Sequence, residues 1–280
     1  MRFTEANVDF ETAQIVVLPV PYDQTVTGRP GTRNGPQAIL RASQWLELWD
    51  PELNFDTSKF GIHTLPELEL PVSNPEQMIN LVYQKVNKLI DKNKFPVIIG
   101  GEHLISLGAV KSFKEKHPNF SCLVLDAHAD LRDEYEGFKY SHACVTRRIQ
   151  ELVPTVVFGV RSLAKEEVEY LSNKEKKIKV YETLGQTHIS ALTDVISELS
   201  DEVYISVDID VLDTGIMPSV GTPEPGGLLW DEILKFLRVL CKSNHIVGFD
   251  VVELCPILGN QAPDYLAAKL IYKILAYIFS

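Results

Sequence analysis

Short apolar runs alternate with amphipathic stretches along most of this chain. The apolar runs predict buried strands at residues 15–20, 96–101, 120–126, 156–160, 178–181, 203–207 and 245–249. Helical spacing and turn signals predict helices from about residue 37 and over residues 75–92, 103–116, 141–152, 165–173, 188–199, 230–242 and 263–279. Residues 50–74 are predicted to be irregular, apart from a short strand near 61–63.

This alternation predicts an α/β fold with a mainly parallel sheet and helices on both faces. The chain has no linker, low-complexity run or internal repeat, so we expect a single domain over residues 1–280. Ligands of such folds bind beyond the carboxyl ends of the strands.

Composition narrows the class of partner. The formal net charge of −11 argues against nucleic acid and is compatible with a cationic small molecule. The four cysteines form no CxxC pair, which argues against a zinc knuckle or a disulfide scaffold. We see neither a long apolar run nor an apolar N-terminal region, so we expect no membrane span, no secretory signal and a cytoplasmic location.

One strand ends in a row of groups that can bind a metal. Asp126, His128 and Asp130 alternate directly after the apolar run 120–125. In an extended chain these side chains point to one side, and two carboxylates with an imidazole suit a divalent cation. The alternative is that Asp126 and Asp130 only cap the next segment.

Other predicted strands also end in such groups. His103 follows strand 96–101, Asp208 and Asp210 follow strand 203–207, and Glu253 lies beyond strand 245–249. The ends of parallel strands share one edge, so these groups can converge there. The set has four carboxylates and two imidazoles, and two divalent cations would balance the four carboxylate charges. Two such cations about 3.5–4 Å apart form a hydrolytic arrangement. Ligands without thiolate favour Mn²⁺, with Zn²⁺ or Co²⁺ possible; the alternative is that Asp208 and Asp210 are cap or turn residues.

The motifs together resemble the ureohydrolases, the arginase and agmatinase group of binuclear manganese enzymes. The similar blocks are Gly100–His103, Asp126–Asp130, Ser206–Asp213, Gly221–Gly227 and Asp250–Glu253, and those resembling the agmatinase branch are Arg29–Arg33 and Ser141–Arg148. Glu102 departs from the pattern, because the family usually has Asp there. The resemblance implies a three-layer α/β/α sandwich of the arginase and deacetylase type, and a homo-oligomer, either trimer or hexamer.

The resemblance also implies a role for each matching residue. One manganese ion would bind His103, Asp126, Asp130 and Asp208, and the other Asp126, His128, Asp208 and Asp210. Glu253 would pair with the substrate guanidinium, and a bridging water would attack the guanidino carbon as hydroxide. Asp130 would carry a proton to the leaving amine and His142 would assist, while Thr222 and Glu224 would line the site.

The loop over residues 131–140 bears on the substrate. Its acidic residues Asp133, Glu134 and Glu136 would repel a carboxylate and suit an ammonium tail, which favours agmatine, with putrescine and urea as products. Arg132 and Lys139 weaken this argument, and the loop can equally be a solvated surface.

Three alternatives remain open. Related enzymes of this branch act on guanidinobutyrate and similar acids, so a guanidino-acid hydrolase is possible. A mononuclear zinc deacetylase acting on acetylated polyamines would need only an Asp, a His and a second Asp, which leaves His103, Asp130 and Asp210 surplus. A non-enzymatic relative of the fold would be indicated by a missing ligand, and no ligand is missing.

Overall fold

A parallel eight-stranded sheet runs through the centre of the computed structural model, which describes residues 1–70, 74–172, 178–182 and 192–280. The strands are β1 (Ile15–Val20), β2 (Trp49–Asp50), β3 (Phe55–Asp56), β4 (Ile62–Thr64), β5 (Phe95–Gly100), β6 (Phe120–Leu125), β7 (Thr155–Val160), β8 (Ile178–Glu182), β9 (Glu202–Asp208) and β10 (His245–Val252). The strand order in the sheet is β4-β1-β5-β10-β9-β6-β7-β8, and every neighbouring pair is parallel.

Helices cover both faces of this sheet. They are α1 (Gly35–Ala42), α2 (Pro75–Asp91), α3 (Ile105–Lys116), α4 (Val145–Gln150), α5 (Lys165–Leu171), α6 (Leu192–Ser197), α7 (Trp230–Ser243) and α8 (Ala262–Phe279). The core on one face takes its helical side chains from α1, α6, α7 and α8, and the core on the other face from α2, α3, α4 and α5. The predicted three-layer α/β/α sandwich is therefore confirmed. No helix in the described part of the chain combines the length and apolar character that a membrane crossing requires.

The apolar runs are continuous because each central strand feeds two cores. In β5, Val97 and Ile99 pack into one core while Ile98 packs into the other. In β9, Val203 and Ile205 lie in the first core and Tyr204 in the second. Successive side chains of a strand point to opposite faces, so burial of both faces requires apolar residues at nearly every position.

The structure differs from the sequence prediction mainly in short elements. Part of the region predicted as irregular forms the antiparallel pair β2 and β3, whose two-residue strands are too short to leave a pattern. The segment predicted as one helix over 141–152 is a 3-10 turn (His142–Cys144) followed by α4. Residue 173 and residues 188–191, predicted to be helical, lie outside the described residues.

The pair β2 and β3 is attached to α8 through a buried lysine. Lys273 Nζ donates to Asp50 Oδ2 at 2.8 Å and to Glu52 Oε2 at 2.6 Å. The side chains of Lys273 and Asp50 are only 6% and 1% exposed, so neither charge can be solvated if the other is lost. Removing one partner of a buried ion pair typically costs about 3–5 kcal/mol.

We therefore predict that Lys273→Met lowers the free energy of unfolding by about 3 kcal/mol, because it leaves the Asp50 carboxylate buried without its cation. Urea denaturation followed by tryptophan fluorescence measures the change. The matched control is Lys235→Met at an exposed position of α7, which makes the same charge change and should shift stability by less than about 0.5 kcal/mol. Equal effects in the two variants would contradict a stabilising role for this ion pair.

Candidate active site

The carboxyl ends of β5, β10, β9 and β6 form the site. These strands are neighbours in that order at the middle of the sheet, and all run in the same direction. Each delivers at its end one or more of the residues predicted to bind metal or substrate. The structure therefore brings together groups that the sequence places in four separate motifs.

Three carboxylates surround the ring of His103. Its Nδ1 atom lies 3.1 Å from Asp126 Oδ2, 3.3 Å from Asp130 Oδ2 and 3.4 Å from Asp208 Oδ2. His103 and Asp126 are fully buried, and Asp208 and Asp130 nearly so. These four residues are the set that the resemblance assigns to one metal ion.

A second group overlaps the first. His128 Nδ1 lies 3.0 Å from Asp210 Oδ2 and 3.6 Å from Asp126 Oδ1. Ligand atoms of His103, Asp126 and Asp208 lie mutually close enough to hold an ion, and so do those of Asp126, His128 and Asp210. Asp126 belongs to both groups, as expected of a carboxylate that bridges two metal ions.

Backbone N–H groups hold the carboxylates in place. Asp126 Oδ1 accepts the N–H of His128 at 2.6 Å, and Asp210 Oδ1 accepts that of Ala127 at 3.0 Å. Asp208 Oδ1 accepts the N–H of Asp210 at 2.9 Å. In each of these residues the Oδ2 atom lies between 3.0 and 3.4 Å from a histidine ring nitrogen.

A chain of polar side chains sets the tautomer of His103. Its Nε2 atom lies 3.1 Å from Ser206 Oγ, and Ser206 in turn donates to Asp250 Oδ1 at 2.7 Å. Asp250 Oδ2 accepts the hydroxyl of Tyr204 at 2.7 Å. With its own proton directed to Asp250, Ser206 Oγ is placed to accept the Nε2–H of His103, and the Nδ1 lone pair of a neutral ring would then face the carboxylates. Histidine ligands of metals are commonly oriented in this way.

The electrostatics of the cluster fit a cation. Burial and the charges of Asp210 and Asp126 raise the pKa of Asp208 well above its usual value, and burial and Asp126 raise the pKa of Asp130 to about 7. Burial opposes protonation of His103, but the three carboxylates around its ring still raise its pKa well above 6.5. His103 Nδ1 and Asp126 Oδ2 are buried and make no hydrogen bond. A divalent cation would favour the ionised carboxylates and the neutral imidazoles instead.

A cavity of about 140 Å³ opens onto this cluster. Its lining includes Asp130, His142, Thr222 and Glu253, four of the residues predicted for catalysis or substrate binding. Glu224 differs, because among the described residues its side chain is not part of the lining. Its backbone carbonyl instead accepts a hydrogen bond from Arg161 Nη2 at 2.8 Å.

Glu253 and His142 face this cavity in fixed orientations. Glu253 has a φ of 66°, rare for a residue with a side chain, and its Oε1 accepts the N–H of His103 at 2.7 Å. His142 Nε2 lies 2.9 Å from Thr27 Oγ1. Burial lowers the pKa of His142 to about 4, so its imidazole is neutral at neutral pH.

Sequence reasoning did not identify several lining residues. Tyr135 packs edge-on against His142, with ring centroids 6.1 Å apart. The carboxylate of Glu167 accepts the N–H groups of Leu131 and Ala164, each at 2.7 Å. Glu167 lies in the first turn of α5, where a glutamate is ordinary, so the sequence carried no signal that it faces a cavity.

The overlap of the two groups predicts unequal losses of metal. We expect the parent protein to bind about two Mn²⁺ per chain, Asp210→Asn about one, and Asp126→Asn less than one, since Asp126 serves both groups. Elemental analysis after dialysis gives the metal count, and near-UV circular dichroism checks that each variant is folded. Asp133→Asn is the control, because Asp133 pairs with Arg148 outside the cluster. An unchanged metal count in Asp126→Asn would contradict the assignment.

Comparison with known proteins places this arrangement in a family. The model of the Arginase family matches residues 13–277. An N(1)-aminopropylagmatine ureohydrolase of Synechocystis sp. is 36% identical over 98% of this chain and 92% of its own length, and an agmatinase of Pyrococcus horikoshii is 35% identical over 96% and 93%. The crystal structure of agmatine ureohydrolase of Thermoplasma volcanium superposes with a TM-score of 0.89 at 32% identity, covering 99% of this chain and 94% of that one. The chain therefore belongs to the arginase family and is an agmatinase-like ureohydrolase, which confirms the resemblance drawn from its motifs.

Proposed function

We propose that this protein is a binuclear manganese hydrolase that cleaves the guanidino group of agmatine to give putrescine and urea. The observation that carries the proposal is the pair of overlapping ligand groups that share Asp126, with His128, Asp208 and Asp210 of these groups lining one cavity. His103, Asp126, Asp130 and Asp208 would hold one ion, and Asp126, His128, Asp208 and Asp210 the other. A homo-oligomer, a cytoplasmic location and a single domain over residues 1–280 remain predictions.

The chemistry requires a nucleophile, a held guanidinium and a proton for the leaving amine. Two divalent cations, when bound, would lower the pKa of water so that hydroxide is available at neutral pH. Glu253 would accept N–H groups of the guanidinium, and its carboxylate is held beside the cluster by the N–H of His103. A new C–O bond forms at the guanidino carbon, and its bond to the chain nitrogen breaks.

Asp130 and His142 are suited to move the proton. Asp130 lines the cavity with its Oδ2 atom inside the cluster, from where it would pass a proton to the departing amine. His142 is neutral and presents Nε2 beside Thr27 Oγ1, so it can take up or give a proton at that atom. Thr222 lines the same cavity and would contact the bound substrate.

Charges around the cavity favour an amine tail. Arg132 lines the cavity, but its guanidinium pairs with Glu166. Glu167 is a further lining carboxylate, and Glu136 is exposed on the loop over 131–140. A carboxylate tail would meet these negative groups without a free cation on Arg132 to offset them, whereas an ammonium would be attracted. Asp133, which supported the amine tail in the sequence argument, is engaged by Arg148.

We expect the manganese-loaded protein to release urea from agmatine with a kcat/KM at least about 100-fold above that for arginine or guanidinobutyrate, because like-charge contacts cost several kcal/mol. Steady-state urea assays on the three substrates measure this ratio. Preference for guanidinobutyrate would instead favour the guanidino-acid hydrolase. One zinc per chain with activity on acetylated polyamines would favour the deacetylase.

Glu253→Gln tests the contact to the guanidinium. The amide keeps the size of the side chain but loses the charge, so kcat/KM for agmatine should fall about 100-fold or more while the metal count stays the same. The matched control is Glu224→Gln, because the Glu224 side chain is outside the described lining of the cavity. Equal losses in the two variants would contradict the assigned contact.

A longer polyamine is a second candidate substrate. The 36% identical relative from Synechocystis is an N(1)-aminopropylagmatine ureohydrolase. A second cavity, of about 220 Å³, shares Tyr135 with the first and is also lined by Gln24, Glu136, Phe138 and Ser141. An aminopropyl extension would place its distal ammonium in this cavity, near Glu136.

The Glu136→Gln variant tests whether this cavity holds the extension. The measured quantity is kcat/KM for N(1)-aminopropylagmatine divided by kcat/KM for agmatine. If the cavity holds the extension, this ratio should fall about 5- to 10-fold, because one partly exposed charge pair is lost. Competition assays with both substrates measure the ratio. The control is Glu134→Gln, because Glu134 lies on the same loop but is not among the described residues that line the second cavity. This variant should leave the ratio unchanged. A ratio unaffected by either variant would favour agmatine alone.

A further inference from the structure

The carboxylate of Glu102 lies buried between the end of β5 and the segment over residues 22–27. It is fully inaccessible to solvent, although it belongs to neither metal group and does not line the described cavity. Its Oε2 accepts the backbone N–H of Thr25 at 2.8 Å, and its Oε1 accepts the Thr25 hydroxyl. One side chain thus binds the same threonine at two points.

The segment over 22–27 is held closely against β5 at this place. The N–H of Glu102 donates to Tyr22 O at 2.7 Å. Gly101 allows this approach, because a Cβ atom there would lie 1.9 Å from Tyr22 O. Thr25 is therefore positioned from the strand that also delivers His103, one of the metal-binding candidates.

The same segment holds His142. The backbone N–H of His142 donates to Thr25 Oγ1 at 3.0 Å, and His142 Nε2 lies 2.9 Å from Thr27 Oγ1. The hydroxyl of Thr25 thus donates to Glu102 and accepts from His142 at once. These bonds connect the Glu102 carboxylate to the backbone of His142 through a single oxygen atom.

We propose that Glu102 is a positioning residue, which fixes the Thr25 hydroxyl and through it the backbone and imidazole of His142 at the mouth of the metal cluster. The consequence for catalysis rests on the function proposed above, whereas the positioning itself does not. The two carboxylate oxygens of Glu102 reach both the backbone N–H and the hydroxyl of Thr25.

Amide hydrogen exchange at His142 tests the positioning without reference to activity. In the full-length protein loaded with Mn²⁺, Thr25→Val should speed exchange of the His142 amide about 10-fold or more, because valine has the same shape but no acceptor. Thr25→Ser keeps the hydroxyl, so the His142 amide in this variant should exchange at nearly the rate of the parent protein. Glu102→Gln should also speed exchange, since an amide cannot accept at both of its ends. Unchanged exchange in Glu102→Gln overturns the proposal.

A double-mutant cycle tests whether the positioning of His142 by Glu102 affects catalysis. Glu102→Gln should lower kcat for urea release about 10-fold, with KM and metal count close to the parent values. In the His142→Ala background the same change should cost little more, because the residue it positions is already gone. If Glu102→Gln lowers kcat by the same factor with and without the His142 side chain, Glu102 does not act through His142. Absence of urea release by the parent enzyme would count against the proposed function alone, since the exchange experiment is independent of it.

Discussion

The site depends on one electrostatic constraint: several buried carboxylates must coexist within a few ångströms of one another. Asp126, Asp130 and Asp208 all lie within 3.4 Å of one histidine nitrogen. Protein groups offset this charge only in part, through imidazoles and backbone N–H donors. Burial and mutual repulsion raise the pKa of Asp130 and Asp208, which favours their protonated forms, whereas bound cations would favour the ionised forms. The surrounding sheet supplies the rigidity that keeps the carboxylates from separating.

Loop contacts around the cluster keep its less favourable backbone conformations in place. Asp130 and Glu253 both have positive φ, which costs of order 1–3 kcal/mol for a residue with a side chain. Arg161 donates to the carbonyls of Asp210 and Glu224, at 2.7 and 2.8 Å, and so fixes two loops to each other. Arg29 donates in the same way to the carbonyl of Cys255, just beyond Glu253. These charged hydrogen bonds fix the backbone of the loops that carry Asp210, Glu224 and Cys255.

Under the proposed function, the chemistry and the recognition of the substrate tail would fall to different parts of the molecule. The groups assigned to the metal ions come from the ends of central strands, whose positions are fixed by two packed cores. Other residues that line the cavity, among them Arg132, Tyr135 and Glu167, come from a loop and from the first turn of α5. Loops can change without disturbing the sheet. Substitutions in this loop would therefore alter the lining of the cavity while the ends of the central strands keep their positions.

The sequence by itself determined the strands, most of the helices and the six candidate metal ligands. Continuous apolar runs are characteristic of strands buried on both faces, and the alternation after β6 predicts that Asp126, His128 and Asp130 face one side. The structure brings the three together, although Asp130 has positive φ and the segment is not extended there. The sequence did not reveal the pair β2 and β3 or the contribution of Tyr135 and Glu167 to the cavity. It also did not reveal that Glu224 is not among the described residues that line this cavity. Only the tertiary structure placed β10 between β5 and β9, and brought Thr25 between Glu102 and His142. The physical reason is that spacing fixes the side of a strand on which a residue lies, whereas the neighbours of that residue depend on packing between segments distant in the chain.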